Sequence, residues 1–123
     1  MFPAVLSSKL YLTWTENNGS AKQIRVRVNT GTLASENWTF VEKAVPDANG
    51  LNVNTANNAE EPRAFVFNSL LYVAWREDDV GGVDVIRVKE YNGNDGAPAW
   101  TTRSPGAGLN LNTANIASRP SLG

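Results

Sequence analysis

Residues Gly50–Asn57 read GLNVNTAN, and residues Gly108–Asn115 read GLNLNTAN. Asn52, Asn54, Thr55 and Asn57 therefore recur as Asn110, Asn112, Thr113 and Asn115. An asparagine amide offers donors and an acceptor together, which suits sugar hydroxyls. Aromatic faces pack on apolar groups, sugar C–H surfaces among them. Trp38 and Trp100, each followed by threonine, supply such faces. These ten residues are the candidate ligand-binding set. A structural reading stands beside it. Asn and Thr side chains also bond their own backbone in turns and tolerate left-handed conformations. Trp14 and Trp75, in line with Leu10/Leu12 and Leu71/Val73, are expected in the core.

Other chemistries find little to work with. The chain has no cysteine and no histidine, which removes thiolate chemistry, the commonest general base and the commonest zinc ligand. Glycosidase chemistry needs two carboxylates with separated pKa values, and no pair stands out. Glu16 recurs as Glu77 and Arg25 as Arg87. These read as repeated Glu–Arg pairs across neighbouring strands, worth little if exposed. No catalytic residue, metal ligand or cofactor is assigned, and the chain is expected not to be an enzyme. Asp47–Gly50, DANG, has the look of a calcium loop, but its counterpart Pro105–Gly108 has no carboxylate. With 11 basic and 12 acidic residues the net charge is −1, so no basic footprint for nucleic acid exists. No apolar run approaches the ~20 residues of a membrane helix, and MFPAVLSSKL lacks the pattern of a signal peptide. The expectation is a soluble chain whose compartment is unassigned.

The octapeptides belong to a longer repeat. LYLTW at Leu10–Trp14 returns as LYVAW at Leu71–Trp75, an offset of 61. Ile24–Val26 returns at Ile86–Val88 and Trp38–Thr39 at Trp100–Thr101, an offset of 62. The octapeptides, with Ala59 and Pro62 returning as Ala117 and Pro120, follow at an offset of 58. The chain is two copies of a unit of about 60 residues, the mark of a repeat architecture. Residues 1–61 are the first repeat and its connecting loop, residues 62–123 the second. Each copy has four strand candidates and no helical periodicity. In the second these are Ala64–Phe67, Leu71–Glu77, Val83–Tyr91 and Trp100–Ser104, separated by turn-rich stretches such as NGNDGAP. The first follows with AVL, LYLTWTE, QIRVRVN and WTFVE. Arg25, Arg27, Arg87 and Lys89 at alternate positions predict a half-exposed third strand.

Four short antiparallel strands per repeat, the last opened by Trp, form the pattern of a propeller blade. The frame P…LYVAW.E…IRVK.YNG…W…GLNLN…P resembles the repeats of bacterial β-propeller proteins, and more loosely propeller lectins and kelch-type propellers. The resemblance implies an all-β fold of two four-stranded antiparallel propeller blades. It also implies a binding rather than a catalytic role, with carbohydrate at the blade junctions as one ligand class and a protein-interaction or structural scaffold as the alternative. Propellers close with typically 4–8 blades. Two blades alone would expose residues such as Phe65, Phe67, Leu10, Leu12 and Val26. Head-to-tail self-assembly into a ring is therefore expected, the alternative being that these two blades are a piece of a longer propeller chain. Two protomers give four blades, three give six and four give eight, and three is favoured.

Overall fold

The computed structural model describes residues 2–32, 34–79, 82–112 and 115–120. Its regular elements are β1 (Phe2–Leu6), β2 (Lys9–Asn17), β3 (Lys22–Asn29), β4 (Trp38–Phe40), β5 (Ala59–Phe67), β6 (Leu70–Asp78), β7 (Asp84–Tyr91) and β8 (Trp100–Thr102). They form two four-stranded antiparallel sheets, β1-β2-β3-β4 and β5-β6-β7-β8. The all-β reading with one four-stranded sheet per repeat is what the chain adopts. Among the described residues no helix is long and apolar enough to cross a membrane.

Local chemistry explains most boundaries. The β1–β2 and β5–β6 hairpins turn through Ser7–Ser8 and Asn68–Ser69, with φ of 50° and 62° in the first and 51° and 62° in the second. Two successive left-handed residues give the tight turn whose twist matches that of the strands, and short polar side chains suit that conformation. β5 begins at Ala59, earlier than the sequence predicts, and carries Pro62 inside it. A register shift between Glu60 and Arg63 makes this workable. The bulge leaves the N–H-less proline out of the ladder. β4 and β8 end after three residues. Beyond them side chains supplement the backbone bonds of Val41 and Arg103 to Val26 O and Val88 O: the Val26 N–H donates to Glu42 Oε1 at 3.0 Å and the Val88 N–H to Ser104 Oγ at 3.3 Å.

Successive residues of a strand face opposite ways, and the two repeats bury opposite faces of their second strand. In β2 the buried residues are Tyr11 and Thr13; on β3, Ile24, Val26 and Val28 stand opposite Thr15, Thr13 and Tyr11 and share that face. In β6 the buried row is Leu71, Val73, Trp75 and Glu77. These two faces meet. Tyr11, Ile24, Val26, Val28, Leu71, Val73, Trp75 and Tyr91 lie in one core, joined by Leu51 from the connection between the sheets and by Ala59 at the start of β5. Hence the repeats stack in the same orientation, the front of one sheet on the back of the next.

Three sequence expectations change here. Val26 is not exposed; the second sheet covers it completely. Of its companions, Leu10 and Phe67 are exposed and Leu12 and Phe65 half-buried. Trp75 is fully buried but Trp14, its repeat partner, is only half-buried. The third strands are not uniformly half-exposed, since Arg25 and Arg87 are buried. Each lies at an interior position of its sheet, under the loop that follows the fourth strand. Arg25 donates to the carbonyl oxygens of Ala48 at 2.7 Å and Asn49 at 3.0 Å. Arg87 donates to those of Pro105 at 3.0 Å and Gly106 at 2.7 Å. The guanidinium thus serves as a hub for loop carbonyls, its several donors reaching two of them at once.

Candidate functional site

The repeated octapeptide is built onto the third strand by its first asparagine. Asn52 Oδ1 accepts the Ile24 N–H at 2.9 Å, and its Nδ2 donates to the carbonyls of Lys22 at 2.9 Å and Asn57 at 2.8 Å. Asn110 repeats all three bonds, to Ile86 N–H at 3.0 Å and to the carbonyls of Asp84 and Asn115, both at 2.9 Å. Leu51 N–H donates to Ile24 O and Leu109 N–H to Ile86 O, at 2.9 and 3.1 Å. The amide therefore takes the place of a missing strand partner on the edge of β3 or β7. Gly50 allows the close approach. A Cβ there would sit 2.1 Å from the Ile24 carbonyl oxygen.

The other octapeptide residues close the turn. Asn54 Oδ1 accepts the Ala56 N–H at 3.0 Å, and its carbonyl accepts the Asn57 N–H at 3.0 Å. Asn57 Nδ2 reaches Asp78 O at 2.8 Å, and the Thr55 carbonyl accepts Gln23 Nε2 at 2.8 Å. In the second copy the Asn115 N–H donates to Asn112 O at 3.0 Å. Thr113 lies outside the described residues. Trp38 is half-buried at the start of β4. Trp100 bridges the sheets: its Nε1 donates to Val41 O at 2.7 Å, and its ring packs on Tyr91 with centroids 4.8 Å apart. The asparagines thus gather along the edges of β3 and β7, whereas Trp100 is engaged with Val41 and Tyr91.

The sequence reads Glu77 as half of a Glu–Arg pair across neighbouring strands; in the fold it also holds the centre of the joint between the repeats. It is 1% exposed. Oε2 accepts the Val53 N–H at 2.9 Å and Trp75 Nε1 at 2.8 Å, and Oε1 accepts the Asn54 N–H at 2.9 Å. Arg87 lies 3.9 Å away, also buried. The expected Glu–Arg pair is present here, but as part of an interior network in which charge is compensated by several donors. In the first repeat Arg25 has Glu42 at 3.9 Å instead. Burial raises the Glu42 carboxyl above its usual range, against the opposing pull of the Val26 N–H and the two arginines, Arg25 and Arg27. Glu16 is exposed and accepts Trp14 Nε1 at 3.1 Å. The one signal that could have flagged Glu77 was the repetition of W-x-E at Trp14–Glu16 and Trp75–Glu77.

A second polar knot ties the sheets elsewhere, and nothing in the repeat foretold it. Asp95 Oδ1 accepts the hydroxyls of Tyr11 at 2.9 Å and Tyr91 at 2.6 Å, and Oδ2 accepts Lys9 Nζ at 2.7 Å. Burial opposes ionisation of Asp95, but the bonds from Lys9, Tyr91 and Tyr11 outweigh it and hold the carboxyl below its usual range. Burial and the adjacent carboxylate raise both tyrosines. A depressed carboxyl stabilises the fold above its unfolded pKa, about 4, and that contribution is lost as the pH falls through the lower folded value. Raised tyrosines act at the other end, where stability is lost above about pH 10. Thermal melts of Asp95→Asn should therefore lose less Tm than the parent between pH 5 and 3. An equal loss would remove Asp95 from the acid limb.

Two carboxylates do meet on the rim. Burial, then a hydrogen bond with Asp84, raises Asp78 above the usual carboxylate range, with Asn58 and Arg76 acting the other way. Arg76 also pairs with Asp84 and Glu60, and Glu60 with Lys22. The cluster crosses from the first sheet to the second and reads as a tie between them. Among the described residues no group of three or more acidic or other ligating side chains could hold a metal ion. At Asp47–Gly50 the carbonyls that would face a cation receive the Arg25 guanidinium.

Comparison with protein-family models, with curated proteins and with solved structures finds no match to this chain.

Proposed function

We propose that the chain is a non-enzymatic β-propeller module whose two blades assemble head-to-tail with further copies into a closed ring, three protomers and six blades being favoured. The observation that carries this reading is the identity of the two uncovered faces. On the first sheet, Leu10, Leu12, Trp14 and Glu16 form the outer row of β2; their repeat counterparts Leu71, Val73, Trp75 and Glu77 are the row buried between the sheets. On the second sheet, Ile86 and Val88 are half-buried on the outer face, where their counterparts Ile24 and Val26 are fully covered. Each outer face is one half of the interface the chain already makes internally. Pairing them generates a heterologous contact that repeats by rotation and can close.

The work of such a ring is assembly and binding. Carbohydrate at the junctions rests on the octapeptide, and Asn52 and Asn110 there spend their amides on the backbone. The scaffold reading therefore has the stronger support. Multi-angle light scattering tests assembly directly. The expected mass is a whole multiple of 13.3 kDa, three being the favoured number. A monodisperse, folded species of one chain mass at every concentration would overturn the ring.

A further inference from the structure

We infer that Glu16 and the adjoining open edge of β2 form a binding site for one particular segment of a second copy of this chain, residues 109–120. The inference rests on the ring reading and names the contact that makes the ring. Three observations meet at this site.

The first is the carboxylate. Glu77 seats the first octapeptide by accepting N–H groups at Val53 and Asn54 while holding Trp75 Nε1. Glu16 already holds Trp14 Nε1 in the same W-x-E arrangement and is exposed. It has the same carboxylate–indole pair, and among the described residues no octapeptide lies against it. In the second octapeptide the two leucines are meanwhile exposed. Leu51 is 1% exposed, but its counterpart Leu109 is 53% exposed, and Leu111 stands fully in solvent.

The second is the strand edge. β5 pairs with β6 from Leu70 to Glu77. Among the described residues β1 pairs with β2 from Lys9 to Thr13, although β3 pairs with the other side of β2 as far as Asn17. On the β1 side, among the described residues, no strand pairs with Trp14–Asn17. The corresponding stretch of β6 is covered by Ala59 opposite Glu77 and Glu60 opposite Arg76. Carrying that register to the first sheet places Ala117 opposite Glu16 and Ser118 opposite Thr15. An extended segment added to an open edge gains main-chain bonds there.

The third is the segment itself. Arg119 has φ 54°, and its counterpart Glu61, inside the β5 bulge, has φ 58°. The Ala117 N–H is held on Asp84 O at 3.0 Å, and the Arg119 N–H donates to Glu61 Oε2 at 2.6 Å. Residues 115–120 thus carry the left-handed residue of the bulge without being part of a sheet. A segment held ready in its bound form loses less entropy on docking.

The test uses the 123-residue chain, its Glu16→Ala and Glu16→Gln variants, and a fluorescent peptide of residues 108–120. Mass by light scattering and peptide binding by polarisation are read together, with circular dichroism to confirm folding. The expected result is that both variants fold and self-associate at least about tenfold more weakly than the parent, as loss of one partner of a seated charge predicts. The peptide should bind the parent and compete with assembly, and bind the variants at least about tenfold less. A parent that assembles together with variants that assemble equally well would overturn the Glu16 site and leave the ring standing. A parent that stays single but binds the peptide through Glu16 would overturn the ring and support the site. A peptide that binds parent and variants alike would overturn the site in either case.

Discussion

Glu77→Ala should lower folding stability by about 3–5 kcal/mol, the cost expected when one partner is removed from a buried, hydrogen-bonded charge network. Three donors lose their acceptor at once: the N–H groups of Val53 and Asn54 and Trp75 Nε1. Arg87, buried and 3.9 Å from the carboxylate, loses its nearest negative charge. Leaving buried donors unpaired is more costly than the bonds are worth individually. Glu77→Gln should fall between, because one oxygen still accepts while the new NH2 group faces a donor. The variant also tests whether the sheets behave as one unit. Urea unfolding followed by tryptophan emission and by far-ultraviolet circular dichroism, at fixed protomer concentration, should give coincident transitions in the parent and a lower midpoint in Glu77→Ala. A midpoint unchanged in Glu77→Ala would show that the connection between the sheets is held by the apolar core alone.

Trp75→Ala is expected to cost a similar amount, about 3–5 kcal/mol, for a different reason. The ring is fully buried in the core with Leu71 and Val73, and its removal leaves a cavity between two sheets that cannot collapse freely. Trp14→Ala changes the same letter in the same strand of the other repeat. Within one protomer it should cost clearly less, since Trp14 is half-buried and its neighbours include the guanidinium of Arg27, 5.7 Å from the ring centroid. In an assembled ring the two substitutions part in another way. Trp75→Ala should lower the unfolding midpoint, whereas Trp14→Ala should chiefly lower the assembled mass. Equal losses of protomer stability from the two would contradict the difference in burial on which the argument for open faces depends.

Much of the architecture was readable in the chain itself. The strand alternation at Leu71–Glu77, the turn residues between strands and the doubled landmarks were enough to divide the molecule into two equivalent sheets. These are local signals, decided by side-chain direction along a strand and by which residues tolerate left-handed backbone. The candidate ligand residues were less legible. Asn52 and Asn110 are equally suited to a sugar and to a backbone edge, and only the proximity of β3 and β7 reveals the backbone partners. Arg25 and Arg87 looked like outward-facing charges because alternation assigns a face without saying what covers it. Here the loop after the fourth strand folds back and covers them.

Strand alternation and the doubled landmarks are enough, read along the chain, to give two copies of one four-stranded unit, each followed by nearly the same octapeptide. Which copy of each repeated residue is buried depends on how one sheet packs on the other. Trp75, Glu77 and Leu51 are buried, and Trp14, Glu16 and Leu109 are not, although each pair sits in nearly the same local sequence. The physical reason is that strand and turn formation are set by neighbours along the chain, whereas burial is set by whatever surface lies across from a face. The first sheet has the second against one side only. That one-sidedness gives two identical letters two different environments, and it is the origin of both the joint at Glu77 and the exposed carboxylate at Glu16.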